Sequence, residues 1–394
     1  MLASGKHGRG GAGMRAPRGT RLSGNRTPAE SRSFQLTSLI AVLPGDGIGP
    51  EVTRAGLAVL RAAAARHSLD LRIEEAPFGG AALEALGAPL PPSTRDLCMD
   101  ADAVLLGAAG LPGPPPANPA LRPEQGLLDL RALLGVYANL RPIRPLPGAG
   151  EASPLREENL ANVDLIVVRE LTGGIYFGDK QEGEDAAADL CAYNREEIER
   201  VVRFAAKLAR QRRSRLCSVD KANVLATSRL WRAATSRLVA DEFPDLELQH
   251  LLVDAAAMRL LTHAADFDVL VTENMFGDIL TDEASVLAGS LGMAPSASIG
   301  DGGRGLYEPI HGTAPDIAGQ GVANPCGMIL SVAMMLDLSL KAPQAAREVE
   351  AAVAAAVADG ARTADIADQG PAASTGQFTE AVLERLEKSK DGSA

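Results

Sequence analysis

From Asn194 to Ser285 the chain alternates helical and strand-like patterns with little between them, and this alternation constrains the fold more than any other feature. Asn194 is a helix-capping residue with Glu197 three positions on, and Ile198, Val201, Val202, Ala205 and Leu208 then share one face, so a helix is expected over 194–213. A strand over Leu216–Val219, a helix over 226–241, and strands over Leu248–Val253 and Asp268–Thr272 follow. Ile279, Leu280, Val286 and Leu287 form the next apolar stripe, with a helix start expected near Gly277. The same rhythm opens the chain: Leu39–Leu43 reads as a strand, Pro44-Gly-Asp-Gly-Ile-Gly-Pro-Glu51 as a turn, and a helix runs on to about Ala65 with Pro50 in its first turn. Ala103–Gly107 is a further strand, followed by a proline-rich loop over 111–119. Such alternation predicts α/β layers. The glycine-rich turn is neither GxGxxG nor a Walker A sequence, so a Rossmann fold is not expected.

With 394 residues and 46% apolar content the chain can build two domains with real cores. Its net charge of −11, with no interleaved basic and aromatic patch after the first residues, argues against nucleic acid as a partner and leaves small molecules and metal. Residues 1–38 differ from the rest: seven Lys or Arg against one acid, Glu30, among glycines and serines with no periodic apolar face. They read as a disordered basic extension, with organelle import as the alternative to a dispensable tail. No run of 18 uninterrupted apolar residues exists, so a soluble protein is expected. Cys98, Cys191, Cys217 and Cys326 lie far apart without a CxxC pair, and read as free thiols of a reducing compartment such as the cytoplasm.

Chemistry-bearing residues cluster at predicted strand ends, which in α/β proteins face the ligand crevice. In Thr272-Glu-Asn-Met-Phe-Gly-Asp-Ile-Leu-Thr-Asp-Glu-Ala-Ser285, Asp278 and Asp282 lie on one helical face and repel by a few tenths of a kcal/mol. Either they complement the positive end of a helix dipole or they share a cation. Asp254, after the strand at 248–253, adds a third hard oxygen donor suited to Mg²⁺ or Mn²⁺. Arg131, Arg141 and Arg169 supply planar forks for carboxylates. Tyr176, after the Gly173-Gly174 turn, and Lys221, just past Leu216–Val219, can serve as acid and base if they share a cleft. The stretch His311-Gly312-Thr313-Ala314-Pro315-Asp316-Ile317 and on to Asn324 is a Gly- and Pro-dense loop with amides for an anion and an acid for ribose hydroxyls.

Taken together, PGDGIGPEV, RPEQGLLDLR, YANLRP, VRELTGGIYFG, SVDKANVL, TENMFGDILTDEAS and HGTAPDIAGQGVANP, spread in order from Ile40 to Phe378, resemble the β-decarboxylating dehydrogenases, whose members include isopropylmalate and isocitrate dehydrogenases. The resemblance implies an open α/β sandwich of two domains: a discontinuous cofactor-binding domain from 39–136 plus 289–390, and a second domain over 137–288 that carries a dimer interface. It implies that Arg131, Arg141 and Arg169 hold substrate carboxylates, that Lys221 and Tyr176 are base and acid, and that Asp254, Asp278 and Asp282 bind the divalent cation. NAD would lie along His311–Ile317 and Asn324, with Asp316 on the ribose and Glu124 near the nicotinamide. Each site would be completed in a homodimer, with Lys221, Asn223, Val224 and Asp254 reaching in from the second subunit. Leu127 and Leu128 resemble the isopropylmalate branch, since isocitrate-type members carry Ser and Asn there.

Two departures stand out. Gly110-Leu-Pro-Gly-Pro-Pro-Pro-Ala-Asn118 replaces a loop in which the family carries Lys and Trp, and Ala255 stands where Asn is frequent. The competing readings are another β-decarboxylating dehydrogenase, acting on tartrate, homoisocitrate or isocitrate, and a non-catalytic metal-binding protein.

Overall fold

The computed structural model describes residues 37–114, 116–149, 152–367 and 371–388. Nearly all of the basic extension read from the sequence lies outside them. In chain order the elements are β1 (Ser38–Gly45), α1 (Gly49–Arg66), β2 (Leu71–Glu75), α2 (Gly79–Leu86), α3 (Pro92–Asp100), β3 (Ala103–Ala108), α4 (Pro123–Leu134), β4 (Ala138–Ile143), α5 (Glu157–Leu160) and β5 (Leu165–Glu170). There follow β6 (Lys180–Gln181), β7 (Ala188–Asp189), α6 (Arg195–Arg210), β8 (Arg215–Asp220), α7 (Ala226–Glu242), β9 (Glu247–Leu252), α8 (Val253–Thr262), β10 (Val269–Thr272) and α9 (Asn274–Ser285). The chain ends with β11 (Pro295–Ile299), β12 (Gly305–Pro309), α10 (Cys326–Leu338), α11 (Pro343–Ala358) and α12 (Thr375–Lys388).

Ten strands form one sheet in the order β2-β1-β3-β12-β11-β4-β5-β10-β8-β9. The block β2-β1-β3-β12 is parallel, as is β5-β10-β8-β9. Antiparallel pairings of β12 with β11, β11 with β4, and β4 with β5 join them, so the two blocks run in opposite directions. This is an α/β fold and not a Rossmann fold. The first block is drawn from both parts of the chain, 38–108 and 305–309, and the second from 165–272.

Both faces of each block are covered, and the strands show why. Along β1, Ile40 and Val42 enter the core shared with α1, α10, α11 and α12, while Ala41 and Leu43 enter the core under α2, α3 and α4. In the other block Leu216 faces α6 and α7 whereas Cys217 faces α8 and α9. A strand buried on both sides reads as a continuous apolar run, which is how these segments look in the sequence.

Helix α6 begins with the expected capping box: Asn194 accepts from the Glu197 amide at 2.9 Å and Glu197 accepts from the Asn194 amide at 2.8 Å. Two expectations shift. β9 ends at Leu252, so Asp254 sits in the first turn of α8 and not at a strand end. α9 begins at Asn274, three residues before the expected start, because Glu273 caps it by accepting from the Phe276 and Met275 amides. Asp278 and Asp282 therefore lie beyond the first turn, where the helix dipole contributes little.

Candidate active site

The side chains of α9, β4, β5, α4 and β12 meet around three buried arginines. Arg169, at the end of β5, is 2% exposed; Arg141 on β4 is 5% and Arg131 on α4 is 7% exposed. Gly277 makes this possible, since a Cβ there would come within 2.6 Å of the Arg169 side chain.

Asp278 is the hub. It accepts from Arg169 Nη1, from Arg141 Nη2 at 3.4 Å and from the Tyr176 hydroxyl at 2.8 Å. Asp282, one turn on, accepts from Arg141 Nη1 at 3.3 Å. Screened by the partial exposure of both acids, ion pairs of this kind contribute about 0.5–1 kcal/mol each, still above the few tenths of repulsion between acids at i and i+4. The acid pair is thus held by cations, with its outer oxygens still reaching solvent: the two side chains are 34% and 56% exposed.

Polar neighbours fix the arginines. Arg169 Nε donates to Asn274 Oδ1 at 3.0 Å, and Asn274 is tied back to the Gly173 carbonyl. Arg141 Nε donates to Asn139 Oδ1 at 2.8 Å, and its Nη1 reaches the Thr281 hydroxyl. Arg131 Nη2 donates to Glu308 Oε1 at 2.9 Å, while its Nε is buried without a partner among the described residues. Burial, and then the neighbouring Arg141, lower the Arg169 pKa to about 10. Burial also lowers that of Arg141, against the pull of Asp278 and Asp282. Burial would raise Asp278, but Arg169 and Arg141 outweigh it and hold the carboxyl below its ordinary range. Asp282 is raised by burial, partly offset by Arg141. Tyr176 is pushed up to about 12 by burial and the adjacent Asp278, so it is a phenol and a proton donor at neutral pH.

Sequence reasoning missed Asn139, Asn274, Thr281 and Glu308. The first three stand inside motifs singled out above, and a polar residue among apolar strand or helix neighbours is the signal that marks them.

Lys221 and Asp254 lie elsewhere. They pair with each other at 2.6 Å, the Lys221 contact lowering the Asp254 pKa. No hydrogen bond or ion pair among the described residues joins them to Tyr176 or Asp278. Asn223 and Val224 beside Lys221 are exposed, Val224 to 62%. Leu127 and Leu128 are half-buried on α4, and with Glu124 and Arg131 they recur at helical spacing along one face.

The loop from His311 to Asn324 rests on the turn after β1. Ile48 N donates to the Thr313 carbonyl at 2.9 Å, and Gly321 N donates to Glu51 Oε2 at 2.9 Å. Gly47 has φ +56°, and a Cβ on it would stand 2.0 Å from the Thr313 oxygen. Asp46 accepts from the amides of Gly80, Ala81 and Gly110 and ties the neighbouring loop to the same turn. The turn is a buttress, and Asp46, Gly47 and Glu51 are its working parts, a role the sequence did not reveal. Ala314 holds φ +37°, unusual for a residue with a Cβ. Gly312, Pro315 and Asp316 are exposed, Ile317 is half-buried, and His311 Nε2 is buried without a partner among the described residues. Glu124 comes near this region: a Cβ on Gly110 would stand 3.5 Å from both its carboxylate and the Thr313 side chain. Asn324 is committed to the fold, donating to Asp365 at 3.0 Å and accepting from the Cys326 amide at 2.9 Å.

Three arginines out of water are each met by an acid here, and Arg131 Nε is left as a buried donor without a partner among the described residues, so the fold and this cluster define an α/β protein with room in its bonding for a small anion. The isocitrate/isopropylmalate dehydrogenase family model matches residues 39–382, and the chain belongs to that family. It is 54% identical over 337 residues to a 3-isopropylmalate dehydrogenase of Gloeobacter violaceus, covering 84% of this chain and 93% of the relative. It is 52% identical to the 3-isopropylmalate dehydrogenase of Anaeromyxobacter dehalogenans, covering 89% of this chain and all of the relative. Among solved structures, isocitrate dehydrogenase from Methylococcus capsulatus superposes with a TM-score of 0.78 at 36% identity, over 89% of this chain and 99% of that one. A β-decarboxylating dehydrogenase from Thermococcus kodakarensis gives 0.74 at 35%, over 90% and 98%.

Proposed function

We propose that the chain is an NAD-dependent 3-isopropylmalate dehydrogenase, converting 3-isopropylmalate to 4-methyl-2-oxopentanoate and CO₂ in leucine biosynthesis. The observation that carries this reading is one face of α4, where Arg131 stands beside Leu127 and Leu128, so that a carboxylate and a branched apolar group are met together. The unpartnered Nε of Arg131 is a donor that a substrate carboxylate would satisfy. Arg141 and Arg169 complete the grip on the malate part. The charges agree: Glu308, Asp278 and Asp282 balance the three arginines, so a dianionic substrate arriving with a divalent cation leaves the cluster neutral.

Asp278 and Asp282 offer hard oxygens on one helical face, and their cationic neighbours keep Asp278 ionised, which fits Mg²⁺ or Mn²⁺. Among the described residues no group of three or more His, Cys, Asp or Glu forms a metal cage, so one chain supplies part of the ligand set. Asp254 of a second subunit would supply the rest. A cation held by these carboxylates would supply Lewis-acid polarisation of a substrate oxygen and stabilise developing negative charge. Lys221, from that second subunit, would take the C2 hydroxyl proton, and NAD⁺ held along His311–Ile317 would supply the hydride acceptor. After the C3 carboxylate departs as CO₂, Tyr176 delivers a proton to C3. A homodimer is supported by exposed apolar side chains at Leu190, Val224, Leu225 and Met258. In the cofactor loop Asp316 favours NAD over NADP, because it would repel a 2′-phosphate.

We also read residues 39–136 plus 289–390 as the cofactor domain and 137–288 as the second domain, in keeping with the two strand blocks. A cytoplasmic location is supported by four free cysteines and by the lack, among the described residues, of a helix long and apolar enough to cross a membrane.

The test is NADH formation from a panel of 2-hydroxy acids with Mg²⁺ or Mn²⁺. A kcat/KM on 3-isopropylmalate orders of magnitude above that on isocitrate is expected. Comparable values on the two would overturn the assignment.

A further inference from the structure

Tyr176 owes its place to a short turn that is held from within the protein. The turn, Gly174–Tyr176, follows the end of β5 and delivers the phenol to Asp278 on α9. Glu170, the last residue of β5 and fully buried, accepts from the Thr172 amide at 2.9 Å and from the Gly173 amide at 2.8 Å. Glu273 accepts from the Met275 and Phe276 amides and so fixes where α9 begins. Between the two carboxylates stands the Tyr193 hydroxyl, 3.2 Å from Glu170 and 3.4 Å from Glu273. It also accepts from the Asn274 amide at 3.0 Å. The Tyr193 side chain packs against the turn itself, since a Cβ on Gly173 or Gly174 would come within 2.6 Å of it. Its ring meets that of Trp231 on α7 edge to face, with centroids 5.8 Å apart.

We propose that Tyr193 is a positioning residue, which sets the reach of the Tyr176 phenol by bridging the end of β5 to the start of α9 with a single hydroxyl. The hydroxyl donates to Glu170, whose carboxylate holds the turn, and accepts from Asn274, the first residue of the helix that carries Asp278. Turn and helix thereby keep one register, in which the Tyr176 hydroxyl meets Asp278 at 2.8 Å. A second tie, from Asn274 Nδ2 to the Gly173 carbonyl at 3.1 Å, spans the same junction. Loss of the Tyr193 hydroxyl therefore loosens the junction without opening it. The bland alternative is that Tyr193 is a core aromatic whose hydroxyl only satisfies buried polar groups. That role sets stability alone, whereas a positioning role sets turnover and does so through Tyr176.

The inference rests on Tyr176 as the acid of the proposed function, and the test keeps the two apart. Tyr193→Phe retains the ring and removes the hydroxyl. With the best substrate of the panel above, its kcat should fall by about 10–100-fold while KM changes by less than about twofold. In a Tyr176→Phe background the same substitution should cause no further loss, because residues that act through one group are not additive. Equal losses in the two backgrounds would overturn the proposal, and so would a lowered melting temperature with kcat unchanged. A readout without turnover comes from the four tyrosines of the chain, labelled with ¹³C at Cζ in the full-length protein and assigned by the phenylalanine variants. In Tyr193→Phe the Tyr176 signal should shift or broaden while those of Tyr137 and Tyr307 stay in place. A Tyr176 signal that does not move would sink the positioning role. If Tyr176→Phe is as active as the unmodified enzyme, the acid assignment fails, and the signal alone decides whether Tyr193 places that ring. Should Tyr193→Phe fail to fold, Glu170→Gln, which takes away the acceptor shared by Tyr193 and Gly173, carries the same comparison.

Discussion

The two groups of residues assigned to chemistry are built in opposite ways. Arg131, Arg141 and Arg169 are buried, hydrogen-bonded to residues of three different elements, β12, β4 and α9, and assembled within one chain. Lys221 and Asp254 sit on the surface with Asp254 61% exposed, and apart from the Lys221 amide bonded to Ser228 they make their side-chain contact with each other. The first group is an organised, charge-paired cluster as it stands. The second acquires a purpose only if something covers it, and a second copy of the chain bearing Tyr176 and Asp278 is the surface that would make sense of it.

The hardest way to break this contrast is at the hub. Asp278→Asn removes the charge opposite Arg169 and Arg141 and takes away a carboxylate ligand for the cation, so turnover should fall by about three orders of magnitude or more, several kcal/mol of barrier. Circular dichroism should still report the native fold, and calorimetry should report weakened Mn²⁺ binding. Full activity in the presence of EDTA would remove the metal from the account altogether.

Subunit mixing sharpens the contrast next. Lys221→Ala and Tyr176→Phe should each be close to inactive as pure homodimers. Exchanged into one another, random pairing gives heterodimers half the time with one intact site in each, so about a quarter of the unmodified activity should return. No recovery, with heterodimers demonstrated by native mass spectrometry, would place both residues in the same chain's site.

How much of this was legible in the sequence follows from the range of each interaction. The capping box at Asn194 and the strands β1 and β8 are local patterns, and they were read directly. β4, β11 and β12 were not expected as strands: Pro295–Ile299 and Gly305–Pro309 mix small, polar and proline residues, and their burial comes from neighbours far away in sequence. Arg169 and the acid pair were singled out because they follow apolar runs, and Arg131, Arg141 and Tyr176 because the motifs around them resemble those of the family. Glu308 was missed because its partner lies 177 residues away. Asp46 reads as a turn residue, and only the fold shows that it gathers amides from α2 and from the loop after β3. The start of α9 was misplaced at Gly277 because a glycine was read as a boundary, when its service is to make room for Arg169.

Specificity gives an effect of middle size, because it depends on apolar contact and not on buried charge. Exchanging Leu127 for Ser and Leu128 for Asn removes the surface an isopropyl group would bury, worth about 0.8 kcal/mol per methylene-sized group. The kcat/KM for 3-isopropylmalate should fall by about 10–200-fold. Malate, which lacks that group, should suffer far less, and an equal loss on both would mean the pair serves the fold of α4 and not the substrate.

The smallest effect is expected in the cofactor loop, where the charge in question faces water. Asp316 is exposed and its side chain is not engaged in any ion pair among the described residues. Its repulsion of a 2′-phosphate is therefore screened by solvent and salt, unlike the forces among the buried arginines. Asp316→Ala loses both that repulsion and an acceptor for the ribose hydroxyls, so kcat/KM for NAD should drop while that for NADP rises. The ratio between them should move by about tenfold, and the shift should shrink as ionic strength increases. A change of a thousandfold, indifferent to salt, would show that the loop closes over Asp316 and buries it when the dinucleotide binds, and the contrast between a dry substrate side and a wet cofactor side would then belong only to the unliganded chain.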